Sequence, residues 1–562
     1  MAAAKRGGYN RVVGQDMLAR VQRAWGESPF YQAQLKGPAP DRLLHHPVDP
    51  RTPDPALAEA LFKGRLTIGA ESVDCEGEID RVWDLAAAPG PLHSFLHDFS
   101  WLRHASALGQ AATAPARLLT QGWLDRCEKW SPDAWTPYLT GERLTQLCAH
   151  SGLVLKGGDA LWRSRVLTSM ARQTRHLARA GHRSGTGYER LMTAAGLVLA
   201  GLCLPGCDTE VERGLELLRR ELRLQVRPDG GHVSRNPSQQ LAMVVRLQMI
   251  QKALEARRTP APGFLRHVIG RAAANVQFFR AGDGHLAVFN GGYEDDPKSI
   301  LAAAEAVDPD IAPPVFARHS GFQRLEVGRT LIIADASAPR AGSRFESAGS
   351  FHFSSGRARI VVNCGNGAHL PGDWGKALCQ AAAHSTLSAD PAPAGAPLFS
   401  GGLVTHRRAE DGRGQLLEIE RCLGGGERDG PRYIRRFFLT ADGDSLRGED
   451  ALIAAPAALA AGWRLRFHLH PGVKASLARD GRSVILALPS REGWRFRTNC
   501  PALKLERSVY CGAGGLPGAC EQIVLSPGGL EAASPGDMVI KWAFRKLDGI
   551  WSAEGKGVGS DR

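Results

Sequence analysis

Up to about residue 308 the apolar side chains recur at helical spacing. Leu215, Leu217, Leu218, Leu222 and Leu224 are interleaved with Arg219, Arg220, Glu221 and Arg223, and Gln239–Ala256 repeats the pattern with Leu241, Val244, Val245, Leu247, Ile250 and Leu254. Such spacing puts one apolar stripe on each helix. Breakers at Leu204-Pro-Gly, Arg227-Pro-Asp-Gly-Gly and Thr259-Pro-Ala-Pro-Gly cut the region into pieces of helix-pair length, which predicts helical hairpins. The apolar stretch from Leu191 to Leu204 is too short to cross a bilayer and predicts a buried helix. From about Ala317 the period changes to two. In Leu465-Arg-Phe-His-Leu-His470 the polar residues Arg466, His468 and His470 share one face and the apolar residues the other. About ten such runs, with Asp442-Gly443 and Asp480-Gly481 as hairpin turns, predict an antiparallel sandwich with polar outer faces. Val307–Pro314, rich in Asp and Pro, is the expected joint, giving a helical domain over 1–310 and a sandwich over 315–555.

Composition narrows the class. The 562 residues are 43% hydrophobic and 23% charged, which excludes wholesale disorder and rod-like repeats. Seventy Lys and Arg against 57 Asp and Glu leave a formal charge of +13. That balance favours an anionic partner: nucleic acid, an acidic membrane surface or an acidic polysaccharide. No P-loop, nucleophile elbow or DNA-reading motif is present. The eleven cysteines include no CxxC and no histidines at zinc spacing, so they read as free or buried thiols. The N-terminal residues carry positive charge with no apolar segment behind them, so no secretory signal is visible.

Particular segments add a resemblance. His319-Ser-Gly-Phe-Gln-Arg-Leu-Glu, Ala348-Gly-Ser-Phe-His-Phe-Ser-Ser-Gly, Ile360-Val-Val-Asn-Cys-Gly, Trp374 and Ala381-Ala-Ala-His-Ser-Thr-Leu387, with Glu221–His232 and Phe99-Ser-Trp-Leu-Arg103 in the helical half, together resemble the heparinase II/III-like family of polysaccharide lyases. The resemblance implies an incomplete α/α toroid followed by an antiparallel β-sandwich. It also implies β-elimination on uronic-acid-containing polysaccharides in the cell envelope or periplasm, with the cytoplasm as the alternative where no signal is visible. Such chemistry needs a group that neutralises the uronate, a base, and an acid for the leaving oxygen.

By that resemblance the catalytic candidates are His232, Asn236, His384 and Tyr293, with Arg235, Tyr188 and Trp374 as substrate-binding residues. His232 and Asn236 should stand within about ten ångströms of His384 across a sugar's thickness. Each has a plainer role open to it: Asn236 can cap the helix beginning near Pro237, His384 can be a strand-edge histidine, and Tyr188 and Tyr293 can be packing residues. The sequence also departs from the family. No Asn-His dipeptide occurs around residues 176–188, Ser238-Gln-Gln replaces an expected Tyr-His, and Ser347 and Asn363 occupy places where metal-bearing members hold ligands. No metal and no cofactor is therefore expected, and a non-catalytic protein that binds acidic glycans is the alternative function. His468, His470 and Arg466 read as an exposed polar sheet face.

Overall fold

The computed structural model describes residues 23–85, 88–185, 187–305, 314–337, 344–389, 404–423, 430–454, 462–514, 516–526, 537–551 and 557–558. The expected joint, the Pro391–Pro397 loop and nearly all of the tail after Ser552 fall outside them. The chain forms an incomplete α/α toroid followed by antiparallel sheets, as expected. It divides into two compact units, one running to Gln225 and taking in Val245–Ile269, the other comprising Val226–Val244 and the chain from Gly270 onward.

The principal helices are α1 (Pro137–Ala149), α2 (Ala160–Ala180), α3 (Tyr188–Cys203), α4 (Asp208–Gln225), α5 (Pro237–Ala256) and α6 (Gly263–Phe278). Helix α3 contains the apolar run and is buried from Leu191 to Cys203. Glycines let its neighbours close in: a Cβ on Gly196 would lie 2.7 Å from the Gly141 carbonyl of α1, and one on Gly214 of α4 would lie 2.8 Å from Val198. Each glycine weakens its helix by about 1 kcal/mol relative to alanine, so close packing of α3 is what retains it. Trp83, Trp101, Trp123 and Trp135 are core residues of this unit. Among the described residues no helix is long and apolar enough to cross a membrane.

The second unit holds two sheets. Strands β1 (Phe316–Ala317), β2 (Phe322–Val327), β3 (Thr330–Asp335), β4 (Phe351–Ser355), β5 (Ala358–Val362), β6 (Leu387–Ala389), β11 (Trp463–Leu469), β15 (Leu503–Tyr510) and β16 (Gly518–Leu525) form one, in the order β15-β16-β11-β5-β4-β3-β2-β1 with β6 beside β11. Strands β7 (Val404–Asp411), β8 (Gly414–Cys422), β9 (Arg432–Thr440), β10 (Ser445–Ile453), β12 (Lys474–Leu477), β13 (Ser483–Ala487), β14 (Gly493–Thr498) and β17 (Met538–Leu547) form the other, in the order β12-β13-β14-β17-β10-β9-β8-β7. The Asp442-Gly443 and Asp480-Gly481 turns join β9 to β10 and β12 to β13, with both glycines at positive φ. Between the sheets Phe351, Phe353, Phe437, Phe467, Trp494, Trp542 and Phe544 form one aromatic core, worth roughly 2–3 kcal/mol per buried ring from area alone.

One expectation fails here. Arg466, His468 and His470 do alternate with the apolar face of β11, but they are not an exposed rim. His468 is buried, its Nδ1 2.8 Å from the Ser508 hydroxyl and its Nε2 3.0 Å from the Ala382 carbonyl. Arg466 bonds Ser388, and His470 lies 3.3 Å from Glu294. Other segments of the second unit cover that face at His468, while Arg466 and His470 are half-buried and have protein partners.

Candidate functional site

The Asp229-Gly-Gly-His232 turn, the start of α5, the loop Phe289–Asp295 and the ends of β3 and β5 converge within the second unit. The turn is held by Asp229, whose carboxylate accepts from the backbone of Gly231, His319 and Ser320. Gly230 needs its freedom: its φ is +82°, and a Cβ would lie 2.2 Å from the Arg271 carbonyl.

Asn236 takes both of its possible roles in part. Its Oδ1 accepts from the N–H groups of Ser238 (2.9 Å) and Gln239 (3.1 Å), capping α5. Its Nδ2 donates to the Asn290 carbonyl at 3.1 Å, and the Asn290 amide returns a bond to the Arg235 carbonyl at 2.9 Å. This exchange ties two turns together whose central residues, Arg235 and Asn290, both have positive φ, 58° and 48°. For arginine that conformation costs on the order of 1 kcal/mol, so the surrounding bonds must impose it.

Those bonds centre on Asp335, fully buried at the end of β3. It receives Arg235 through an ion pair, the Ser337 N–H and hydroxyl at 3.1 Å each, and the Ser347 hydroxyl at 3.0 Å. Ser347 also lies 2.7 Å from the Asn290 Oδ1, which closes a network from Asn236 to Asp335. Arg235 is thus committed to an internal carboxylate. His384 lies near enough to Asp335 to feel its charge. It is 1% exposed, and neither ring nitrogen has a hydrogen-bond partner among the described residues. Burial pushes its pKa down to about 4 despite the opposing pull of Asp335, so the ring is neutral at pH 7. His232 is buried as well: its backbone N–H donates to Gln240 Oε1 at 2.6 Å, and its Nδ1 accepts from the Ser234 N–H at 3.1 Å. Burial lowers its pKa to about 4. The void beside His232, Arg235 and Asn236 measures about 10 Å³, room for one water and not for a sugar.

Tyr293 is half-buried, and its hydroxyl meets a second ionisable side chain. Its backbone N–H donates to the Ser238 hydroxyl at 2.7 Å, and that hydroxyl also bonds Asp295, so the first turn of α5 fixes the loop. Gly291, at φ +75°, brings the loop against Phe345, where a Cβ would come within 2.4 Å of the ring. The Tyr293 phenol oxygen lies 3.4 Å from His369 Nδ1. Burial, with the nearby Asp295 and Cys511, raises the phenol pKa to about 12; it is a proton donor at neutral pH. Trp374 is partly exposed in the short helix Trp374–Ala377 that follows the His369 loop. Beside Tyr293, Glu294 accepts from the Tyr510 hydroxyl at 2.6 Å, and Arg359 bonds Asp283 at 2.6 Å. Burial opposes its ionisation, yet the bonds from His470 and Tyr510 and the charge of Arg359 hold the Glu294 pKa down to about 2.

Tyr188 belongs to the first unit. It opens α3, near Arg51 and Tyr138. His176, another histidine of the first unit, is a core residue bonded to Tyr31 at 2.7 Å and to the Trp135 carbonyl at 2.9 Å. Asn363 is occupied structurally, donating to the Val288 carbonyl and accepting from the Ser385 N–H. Among the described residues no three His, Cys, Asp or Glu side chains are grouped to hold a metal, and all eleven cysteines are free thiols. Sequence reasoning missed His369, Asp335 and Asn290. Asp335 ends the apolar run Leu331-Ile-Ile-Ala-Asp335, a break that signals a buried carboxylate. His369 and Asn290 carried no comparable signal.

Comparison with known proteins fits this architecture. The family model described as "Heparinase II/III-like, C-terminal" matches residues 310–543. FtsZ-localized protein C of Caulobacter vibrioides (strain NA1000 / CB15N) is 31% identical over 569 residues, covering 96% of this chain and 96% of that protein. Among solved structures, heparinase III superimposes with a TM-score of 0.67 at 15% identity, covering 90% of this chain and 87% of that one. A mutant heparan sulfate lyase from Pedobacter heparinus gives 0.59 at 14% identity, covering 97% and 91%. At such identities the structural likeness is one of fold.

Proposed function

Starting from the fact that this chain belongs to the heparinase II/III-like family, we propose that it cleaves uronic-acid-containing, acidic polysaccharides by β-elimination. The observation that carries this reading is the Tyr293 phenol, protonated and 3.4 Å from an imidazole nitrogen, on a loop braced by the start of α5. In the reaction His369 accepts the proton from C5 of the uronate. The C5–H electron pair becomes the C4–C5 double bond, the C4–O bond breaks, and Tyr293 protonates the departing glycosidic oxygen. Asn236 ties the first turn of α5 to the loop that carries Tyr293, and Trp374 offers an indole face to a sugar ring. The excess of positive charge draws a polyanion toward the protein. Incubation with heparinoids, alginate and bacterial uronate polymers, followed by ultraviolet absorbance of the unsaturated product, tests the reading. Turnover that Tyr293→Phe abolishes supports it; silence on every polymer refutes it.

A second reading is a non-catalytic protein that binds acidic glycans. The commitment of Arg235 to Asp335 and of Asn236 to the α5 cap favours it, as does the burial of His384. Under this reading the likeness to FtsZ-localized protein C extends to a site of action alongside FtsZ. Salt-sensitive glycan binding without cleavage, and a fluorescent fusion that coincides with FtsZ, are the outcomes that select it.

A further inference from the structure

The outer face of the eight-stranded sheet carries an open groove of about 660 Å³, well within the range of ligand sites. One row of outward residues crosses five strands through it: Leu416 of β8 opposite Phe438 of β9, then Arg447 of β10, Ala543 of β17 and Arg497 of β14. A solvent-facing sheet surface ordinarily carries polar side chains at such positions, yet here Leu416, Phe438 and Ala543 give it an apolar floor. The cations around it differ in their occupation. Arg436 is held by Glu418 at 2.5 Å and by Glu449, and Lys541 lies 3.8 Å from Glu449. Asp480 is engaged by the Ser483 hydroxyl and by backbone N–H groups. Arg447, Arg482 and Arg497 make no ion pair with any described residue, although Asp480 lies near enough to Arg497, and Asp442 to Arg447, to feel the charge.

We propose that this groove binds an extended acidic peptide segment that carries an apolar side chain. Its carboxylates would meet Arg447, Arg482 and Arg497, and its apolar side chain would cover Leu416 and Phe438. Neighbouring strands lie about 4.8 Å apart, so the row spans roughly 19 Å, the length of about six extended residues. A concave groove does not lie flat on a bilayer, and the aliphatic Leu416 and Ala543 beside Phe438 suit a peptide's apolar side chain.

The test uses the full chain and a fluorescein-labelled twelve-residue peptide of Asp and Glu with one central Phe, read by fluorescence anisotropy. The same peptide with Lys in place of its acids serves as control. The acidic peptide should bind and the basic one should not. Arg447→Glu with Arg497→Glu should weaken binding at least about tenfold, since each reversal turns an attraction into a repulsion. The milder pair Arg447→Gln and Arg497→Gln should weaken it about threefold to tenfold, and Leu416→Ser about threefold, with circular dichroism unchanged. The proposal is overturned if the acidic peptide does not bind, or if both arginine pairs leave its affinity unaltered. It is equally overturned if these substitutions abolish binding of a heparin oligosaccharide, single-stranded DNA or anionic vesicles and spare that of the peptide.

Discussion

Replacing Asp335 by Asn removes one negative charge and almost no volume. The carboxylate is fully buried, with Arg235 on one oxygen, Ser337 on the same oxygen through two bonds, and Ser347 on the other. Arg421 lies 3.9 Å away and is itself 1% exposed. Deleting one partner of a buried ion pair costs about 3–5 kcal/mol, because the other is left as an uncompensated charge. The asparagine keeps the Ser337 bonds only with its carbonyl oxygen in the place of Oδ1, and its NH2 then faces Ser347 while Arg235 loses its counter-charge. A loss of about 3 kcal/mol follows. An unfolding entropy of about 2.1 cal/mol/K per residue makes each kilocalorie worth roughly 1 °C for a cooperative unit of this size, so the midpoint of thermal unfolding should fall by roughly 2–5 °C. Circular dichroism melts of Asp335→Asn, Arg235→Gln and the double variant measure it. The double variant should cost clearly less than the sum of the two singles, since neither charge is then stranded. A single-variant loss below about 1 kcal/mol, or strict additivity, would refute the view that this pair holds the turn at Arg235.

Gly291→Ala should destabilise by about 2–3 kcal/mol, because it adds a Cβ 2.4 Å from Phe345 at a φ of +75°; urea unfolding measures the loss. An unchanged urea midpoint would mean that Phe345 moves aside. Stability should also fall as pH drops below about 6.5. His232 and His384 have native pKa values near 4 against 6.5 unfolded, so between those values the unfolded chain binds more protons and stability rises with pH. Each histidine contributes a penalty of roughly 3 kcal/mol once the pH reaches 4 and none above 6.5. Urea midpoints at pH 5 and pH 7.5 test this, and His384→Gln should lower the pH slope by close to one proton near pH 5; an unchanged slope would mean that burial does not depress the His384 pKa.

Much of the architecture was legible because it is written in short-range pattern. The period-two alternation of Leu465–His470, the Asp-Gly turns and the apolar run that became α3 each specify an element without reference to anything distant. What alternation cannot say is whether a polar face meets water. His468 and Arg466 occupy the polar face of β11 as its sequence requires, but Ser508, Ala382 and Ser388 come from 40, 86 and 78 residues away to cover it. Covered and exposed polar faces look the same in a single strand, since both need hydrogen-bonding side chains.

The site shows the same limit in a sharper form. The cap formed by Asn236 was readable from Asn-Pro at the head of an amphipathic run, and the loop around Tyr293 from its paired glycines. Neither reveals why Arg235 should adopt a left-handed backbone. That conformation is stabilised only when Asn290, 55 residues on, bonds the Arg235 carbonyl and Asp335, 100 residues on, takes its guanidinium. Arg235, Asn290 and Asp295, at φ values of 58°, 48° and 55°, gather around one helix start. Strain that costs on the order of 1 kcal/mol per residue persists only where the surrounding structure over-determines it. Here a buried carboxylate, two asparagine amides and two serine hydroxyls do so. The loop that carries Tyr293 is therefore rigid for a reason external to its own sequence. A proton-transfer group benefits from such rigidity, because its reach is a single hydrogen bond and a displacement of one ångström breaks it.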